Sequence, residues 1–253
     1  MALAHAAERL GRFGREMHWF TELSSTNDLA GELAAHGARE GTVVIAESQS
    51  AGGGRLGRTW HSPPGAGLYF SVVLRPGTSI LQLLTLAAGV AIASAIQAAT
   101  GLAPVLKWPN DLYIGRRKLA GILAEAGAAP SGISHVVVGV GINLRSASYP
   151  PEVAERATSI AGELGREADR GVVLGECLAA FAARYDDLQH GRREVVLRAW
   201  RECAAPLLSR AVEWDAHDGT RAGIAEDIDE TGALMVRTDE GTMRVVSGEV
   251  RWT

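Results

Sequence analysis

The chain has 253 residues, 47% of them hydrophobic and 21% charged, with a formal net charge of -4. That is enough apolar material for one large domain and a smaller one without covalent staples. The acidic balance excludes a general nucleic-acid binder, which carries a basic excess on at least one domain. The cysteines, Cys177 and Cys203, have no histidines at ligand spacing, so neither a disulfide framework nor a zinc site is indicated and a reducing cytoplasm is the expected setting.

Charges at Glu8, Arg9, Arg12, Arg15 and Glu16 interrupt the N-terminal stretch and argue against a signal peptide. Ser24-Ser25-Thr26-Asn27-Asp28 supplies capping groups for a helix running to His36. Val43 to Glu47 and Leu68 to Leu74 read as strands on either side of a glycine-rich loop. From Thr78 to Leu106 no charged residue occurs, a length sufficient to cross a bilayer. Alanine dominates that segment, however, and Gln82, Thr85 and Gln97 share roughly a third of the helical circumference, so a buried core helix over 79–99 is predicted and no membrane association.

A strand over Val105 to Trp108, a Pro109-Asn110-Asp111 turn and a hairpin of Leu112 to Ile114 with Leu119 to Ala124 follow, then an apolar run from His135 to Leu144. Helical composition returns over Val172 to Leu188 and Val195 to Cys203. After Pro206 the pattern changes to short strands: Ala211 to Trp214, Arg221 to Asp227, Ala233 to Arg237, Met243 to Val246 and Glu249 to Trp252. His217-Asp218-Gly219, Asp229-Glu230-Thr231-Gly232 and Asp239-Glu240-Gly241 punctuate them as turns. The expected fold is α+β, a mixed, mainly antiparallel sheet flanked by helices over residues 1–207, with a small β-barrel over 208–253.

Three clusters carry chemistry. Gly52-Gly53-Gly54-Arg55-Leu56-Gly57-Arg58-Thr59-Trp60 combines glycines that let backbone amides approach an anion, guanidiniums that bind phosphate or carboxylate, and a flat apolar ring. It matches neither common phosphate-loop spacing. In Lys107-Trp108-Pro109-Asn110-Asp111, the proline fixes the backbone and aims a carboxamide and a carboxylate, and Lys118 lies past the next turn, where its ammonium can neutralise an anion. In Val136 to Leu144, alternate Gly139 and Gly141 clear one strand face for a flat ligand, and Asn143 offers a donor and an acceptor.

These clusters, with Ser25-Thr26-Asn27 ahead of them, resemble the biotin protein ligase family in order and over residues 20 to 252. That family's pattern runs Ser-Thr-Asn, then Gln-x-x-Gly-Arg-Gly-Arg-x-Gly-Arg-x-Trp, then Lys-Trp-Pro-Asn-Asp, Arg-Lys-x-x-Gly-Ile-Leu and Gly-x-Gly-Ile-Asn. The resemblance implies a class II synthetase-like catalytic domain with an SH3-like C-terminal barrel. It implies ATP and biotin as substrates with Mg2+, formation of biotinyl-5'-AMP, and transfer to a lysine of a biotin carboxyl carrier protein domain.

By the same resemblance Ser25, Thr26, Asn27, Gln49, Gly53, Gly54, Arg55, Lys118, Gly139 and Gly141 bind biotin. Arg55, Arg58, Trp60, Lys107, Asn110 and Asn143 bind ATP or the adenylate, and Lys118, Arg55 and Asp111 are the catalytic set, with no carboxylate cluster to name a metal site. About two dozen residues precede Ser25, too few for a three-helix DNA-binding unit, so no operator binding is expected, and either a monomer or a homodimer is compatible. The chain departs from the pattern where Gly53 stands in place of the usual arginine, which predicts a looser loop and more release of adenylate. The alternatives are a lipoate ligase or octanoyltransferase of the same fold, and a non-catalytic biotin or nucleotide sensor. The Lys-Trp-Pro-Asn-Asp block stands against the first, and retention of Lys118 with Arg55 against the second.

Overall fold

The structure is a computed structural model, and it describes residues 6–129, 132–146, 149, 151–216 and 219–252. Strands β1 (Met17–Leu23), β2 (Val43–Gln49), β3 (Gly67–Leu74), β4 (Val105–Lys107), β5 (Asp111–Ile114), β6 (Arg117–Ala129) and β7 (Gly132–Asn143) form a seven-stranded sheet in the order β1-β2-β3-β7-β6-β5-β4. β1 and β2 run parallel and every other pair is antiparallel, in keeping with the mainly antiparallel expectation. β3 is buried along its whole length because both faces are covered.

One face carries α1 (Thr26–Ala35), whose Ala30 and Ala34 pack on Val44, Val73 and Val137. Ser25 caps it by accepting from the Asp28 N–H, as the serine and threonine run predicts. The other face carries α2 (Leu84–Thr100); the short helices α3 (Pro151–Ala154) and α4 (Ile160–Leu164) and the longer α5 (Arg170–Gln189) and α6 (Arg193–Ala204) follow in the chain before the C-terminal strands, with α5 and α6 packed on α2. α2 is the core helix: Leu84, Ala87, Ala88, Val90, Ala91, Ile92, Ala95 and Ile96 are buried, and Gln82 just ahead of it and Gln97 face solvent.

The C-terminal strands β8 (Ala211–Ala216), β9 (Gly219–Ile228), β10 (Leu234–Thr238), β11 (Gly241–Val245) and β12 (Val250–Trp252) make a five-stranded antiparallel sheet in the order β11-β10-β9-β8-β12. His217 and Asp218 of the first predicted turn lie outside the described residues. Two differences from the expected elements have simple causes. The sequence pattern predicts no strand at β1, which is an edge strand with mixed exposure and no clean alternation. β6 and β7 extend beyond the apolar runs because each pairs with the other along its length, which needs no hydrophobic residues at the outer end.

The two sheets meet at the Lys-Trp-Pro-Asn-Asp turn. Trp108 is 3% exposed, and its Nε1 donates to the Gly232 carbonyl at 3.0 Å. That carbonyl sits in a β9–β10 turn tied by Asp229, which accepts from the Thr231 N–H, the Thr231 hydroxyl and the Ala233 N–H at 2.8, 2.7 and 3.0 Å, and from Arg244. Burial raises the Asp229 pKa, but these donors outweigh it and bring it from 3.8 down to about 2. A depressed folded pKa means the stabilisation is complete above the unfolded value and is lost as pH falls through about 2. Urea unfolding should therefore show a stability gap between wild type and D229N that closes on going from about pH 5 to about pH 2. A gap independent of pH would rule out this contribution.

Candidate active site

The glycine-rich loop is a tight hairpin joining β2 to β3. Trp60 N–H donates to the Gly52 carbonyl at 2.8 Å, Gly54 N–H to Arg58 at 2.7 Å and Gln49 N–H to Ser62 at 3.1 Å. A Cβ on Gly52 would lie 2.6 Å from the Trp60 carbonyl oxygen, so the turn requires glycine there. At Gly53 the same test meets only Leu123 Cδ2 at 3.6 Å, so the fold does not impose the missing arginine. Leu56 forms the exposed tip, with φ of 58°.

Trp60 folds back from the hairpin onto the sheet. Its indole lies so close to β7 that a Cβ on Gly141 would stand 2.5 Å from Cε2, and one on Gly121 would stand 3.0 Å from Cζ3. On the neighbouring position, a Cβ on Gly139 would meet Asn27 Oδ1 at 2.1 Å. The strand face expected to admit a flat ligand thus seats Trp60 and Asn27, and glycine is required by those side chains. Lys118 Nζ stands 5.3 Å from the Trp60 ring centroid and 2.7 Å from Asp111 Oδ1. A register shift between Leu112 and Tyr113 in the β5–β6 pairing accompanies this arrangement.

Arg55 reaches across to Asn110, donating from Nη1 to Oδ1 at 3.3 Å, and Asn110 Nδ2 donates to the Ile122 carbonyl at 2.7 Å. Burial pulls the Arg55 pKa below its ordinary value, against the opposing influence of Asp111 and Glu249. Burial likewise lowers Lys107, whose Nζ lies 5.1 Å from the Tyr113 ring centroid. Arg58 forks onto Glu249 of the C-terminal unit, and that bond holds the Glu249 carboxyl below its usual range. Asn143 is occupied within the chain: Nδ2 donates to the Thr158 carbonyl at 2.9 Å and Oδ1 accepts from Tyr149 at 3.1 Å.

These groups surround two adjoining cavities. The smaller, about 60 Å³, is lined by Ser25, Thr26, Asn27, Gln49, Gly53, Gly54, Arg55, Lys118, Gly139 and Gly141, with Trp60 and Asn110. The larger, about 940 Å³, is lined by Arg55, Arg58, Trp60, Lys107, Asn110, Asp111, Lys118 and Asn143 and by the stretch from Gly248 to Trp252. Residues from five separated segments are thus brought together, and Gly54, Arg55, Trp60, Asn110 and Lys118 belong to both walls.

Sequence reasoning missed Ser71, which is fully buried and bonds Thr26 and Asn27, and Glu125, which bonds Asn27. It also missed Glu249. Ser71 left a signal, a lone hydroxyl inside an otherwise apolar strand, whereas the two carboxylates look like any surface glutamate.

Comparison with known proteins shows the family. The family model described as the Biotin/lipoate A/B protein ligase family matches residues 19–143, and that of the Biotin protein ligase C terminal domain matches residues 216–251. The Bacillus subtilis (strain 168) bifunctional ligase/repressor BirA is 36% identical over 242 residues, covering 94% of this chain and 74% of the relative. The biotin--[acetyl-CoA-carboxylase] ligase of Paracoccus denitrificans is 35% identical over 239 residues, covering 89% of this chain and 96% of that one. Among solved structures, the biotin protein ligase from Aquifex aeolicus in complex with biotin and ATP superposes with a TM-score of 0.80 at 28% identity, covering 94% of this chain and 99% of that chain. The chain belongs to the biotin protein ligase family.

Proposed function

We propose that the protein activates biotin with ATP and transfers it to a lysine of a biotin carboxyl carrier protein domain. The observation that carries this reading is the shared wall of Arg55, Trp60, Asn110 and Lys118 between a small polar cavity and a larger cationic one. A carboxylate held in the first meets a nucleotide α-phosphate held in the second. A biotin carboxylate oxygen attacks the α-phosphorus, the bond to pyrophosphate breaks, and biotinyl-5'-AMP forms. The acceptor amine then attacks the acyl carbon and AMP leaves.

Both steps concentrate negative charge on phosphoryl or acyl oxygens, so positioned cations contribute most. Lys118 and Arg55 supply them, with Arg58 and Lys107 on the outer phosphates. Ser25, Thr26, Asn27, Gln49 and the backbone of Gly53 and Gly54 hold the ureido end, while Asn110 and Asn143 border the nucleotide. The acceptor lysine, of ordinary pKa about 10.4, must lose a proton to react, and Asp111 is the carboxylate placed beside Lys118 to receive it.

Magnesium in nucleotide sites is held through substrate phosphates and one or two carboxylates. The carboxylates lining the larger cavity, Asp111 and Glu249, are paired with Lys118 and Arg58, so magnesium would be held chiefly through the phosphates of the ATP it arrives with, neutralising their charge. We assign residues 1–207 as the catalytic domain and 208–253 as an SH3-like unit, with the cytoplasm, which holds ATP and carboxylases, as the working compartment.

The decisive experiment is biotin-dependent exchange of pyrophosphate into ATP. Exchange with biotin and none with lipoate is expected; its absence in folded protein overturns the reading. A further expectation concerns Gly53. Its Cβ position is open, so G53R should fold normally and release biotinyl-adenylate several-fold more slowly, a cation over the anhydride retaining it. Equal release rates in a rapid filtration assay would show that this position acts through its backbone alone.

A further inference from the structure

Hydrogen bonds at the closed end of the smaller cavity run in one direction, set from outside it. Asn27 is 8% exposed; its Nδ2 donates to Glu125 Oε2 at 2.6 Å, and its Oδ1 accepts from Ser71 Oγ at 2.6 Å. Ser71 Oγ also lies 2.8 Å from Thr26 Oγ1, which in turn lies 3.1 Å from Gln49 Oε1. The hydroxyls of Ser71 and Thr26 bring one proton each to these three contacts.

A carboxylate only accepts, so Glu125 at 2.6 Å, with a longer contact of the same Nδ2 to the Leu123 carbonyl at 3.5 Å, turns the Asn27 amide with its NH2 outward and its carbonyl toward Ser71. Ser71 therefore directs its proton to Asn27, and Thr26 must supply the proton for the contact between the two hydroxyls. The longest contact, at 3.1 Å, is left without one. Gln49 Oε1 keeps the Thr26 N–H at 2.8 Å and has a second lone pair. Thr26 Oγ1 and Gln49 Oε1 thus face each other as acceptors on the cavity wall. Apposed acceptors in a confined site are unfavourable until a donor comes between them.

We propose that Glu125 is a positioning residue: acting through Asn27, Ser71 and Thr26, it makes the cavity an acceptor site that selects a ligand bearing N–H donors, such as a cyclic urea. A dithiolane ring or a plain acyl chain has no such donor and leaves both acceptors unpaired. The inference rests on the biotin reading above and explains how that ligand is told from the others handled by the same fold. Glu125 itself is exposed and stands outside the cavity lining, so its effect reaches the ligand only through Asn27.

Biotin-dependent pyrophosphate exchange by wild type, E125Q, E125A and E125K, with KM for biotin and for ATP measured separately, tests the assignment. E125Q keeps an acceptor oxygen and should hold the biotin KM within about twofold of wild type. E125K offers only donors, turns Asn27 over and reverses the chain, and should raise the biotin KM about tenfold or more with ATP KM and kcat unchanged. Should E125K fail to fold by thermal melting, E125A decides, with a several-fold rise expected. A wild-type biotin KM in E125K or E125A, or a loss in E125Q equal to theirs, overturns the assignment. No exchange by the wild-type protein overturns the biotin reading instead.

Discussion

Replacing Lys118 with alanine is expected to lower biotin-dependent pyrophosphate exchange by about 10²- to 10³-fold, the loss usual for one preorganised charge-stabilising donor. Lys118 Nζ is fixed on two sides, by Asp111 at 2.7 Å and by the Trp60 ring at 5.3 Å, so no reorganisation is needed when phosphate charge develops. The side chain is also partly open to solvent, and its removal should leave the melting temperature nearly unchanged. K118R keeps the charge but not the compact ammonium, and should recover only part of the rate. The measurement is kcat at saturating biotin and ATP. A K118A enzyme within tenfold of wild type would remove Lys118 from the chemistry and leave it a structural partner of Asp111.

The second large effect is expected from G141A. A single methyl would stand 2.5 Å from Trp60 Cε2 and 2.6 Å from Nε1, and β7 is held between β3 and β6, so the strand cannot retreat. The indole must move instead. Because Trp60 borders both cavities, kcat/KM for biotin and for ATP should fall together, by about 10²-fold if the displacement is near 1 Å. Overpacking of this kind costs about 1–3 kcal/mol, so the protein should remain folded at 25 °C, as calorimetry can check. A loss confined to one substrate would show that Trp60 serves one cavity only.

What was legible in the sequence follows from where each residue's partners lie. The glycine-rich hairpin, the Lys-Trp-Pro-Asn-Asp turn and the Gly-x-Gly strand are each set by neighbours in the chain, and residue type alone marks them. Their convergence on two adjoining cavities was legible only through the family resemblance. Glu125 and Glu249 escaped notice because their partners, Asn27 and Arg58, lie 98 and 191 residues away. Nothing local separates either glutamate from a solvated one. Gly139 and Gly141 line the smaller cavity, and where a side chain would stand Asn27 and Trp60 approach the strand. A missing Cβ reports that something approaches the backbone, not what it is.

The hydrogen bond from Trp108 to Gly232 spans 124 residues of chain and joins the Lys-Trp-Pro-Asn-Asp turn to the smaller sheet. If that sheet opened, a buried indole N–H would lose its acceptor immediately beside Asn110 and Asp111. The two units should therefore unfold as one cooperative block, and amide protons of the β9–β10 turn should exchange at rates that track those of the Lys-Trp-Pro-Asn-Asp turn. A fold that could have hung its C-terminal sheet as a loose appendage has instead made it part of the active site's thermal fate.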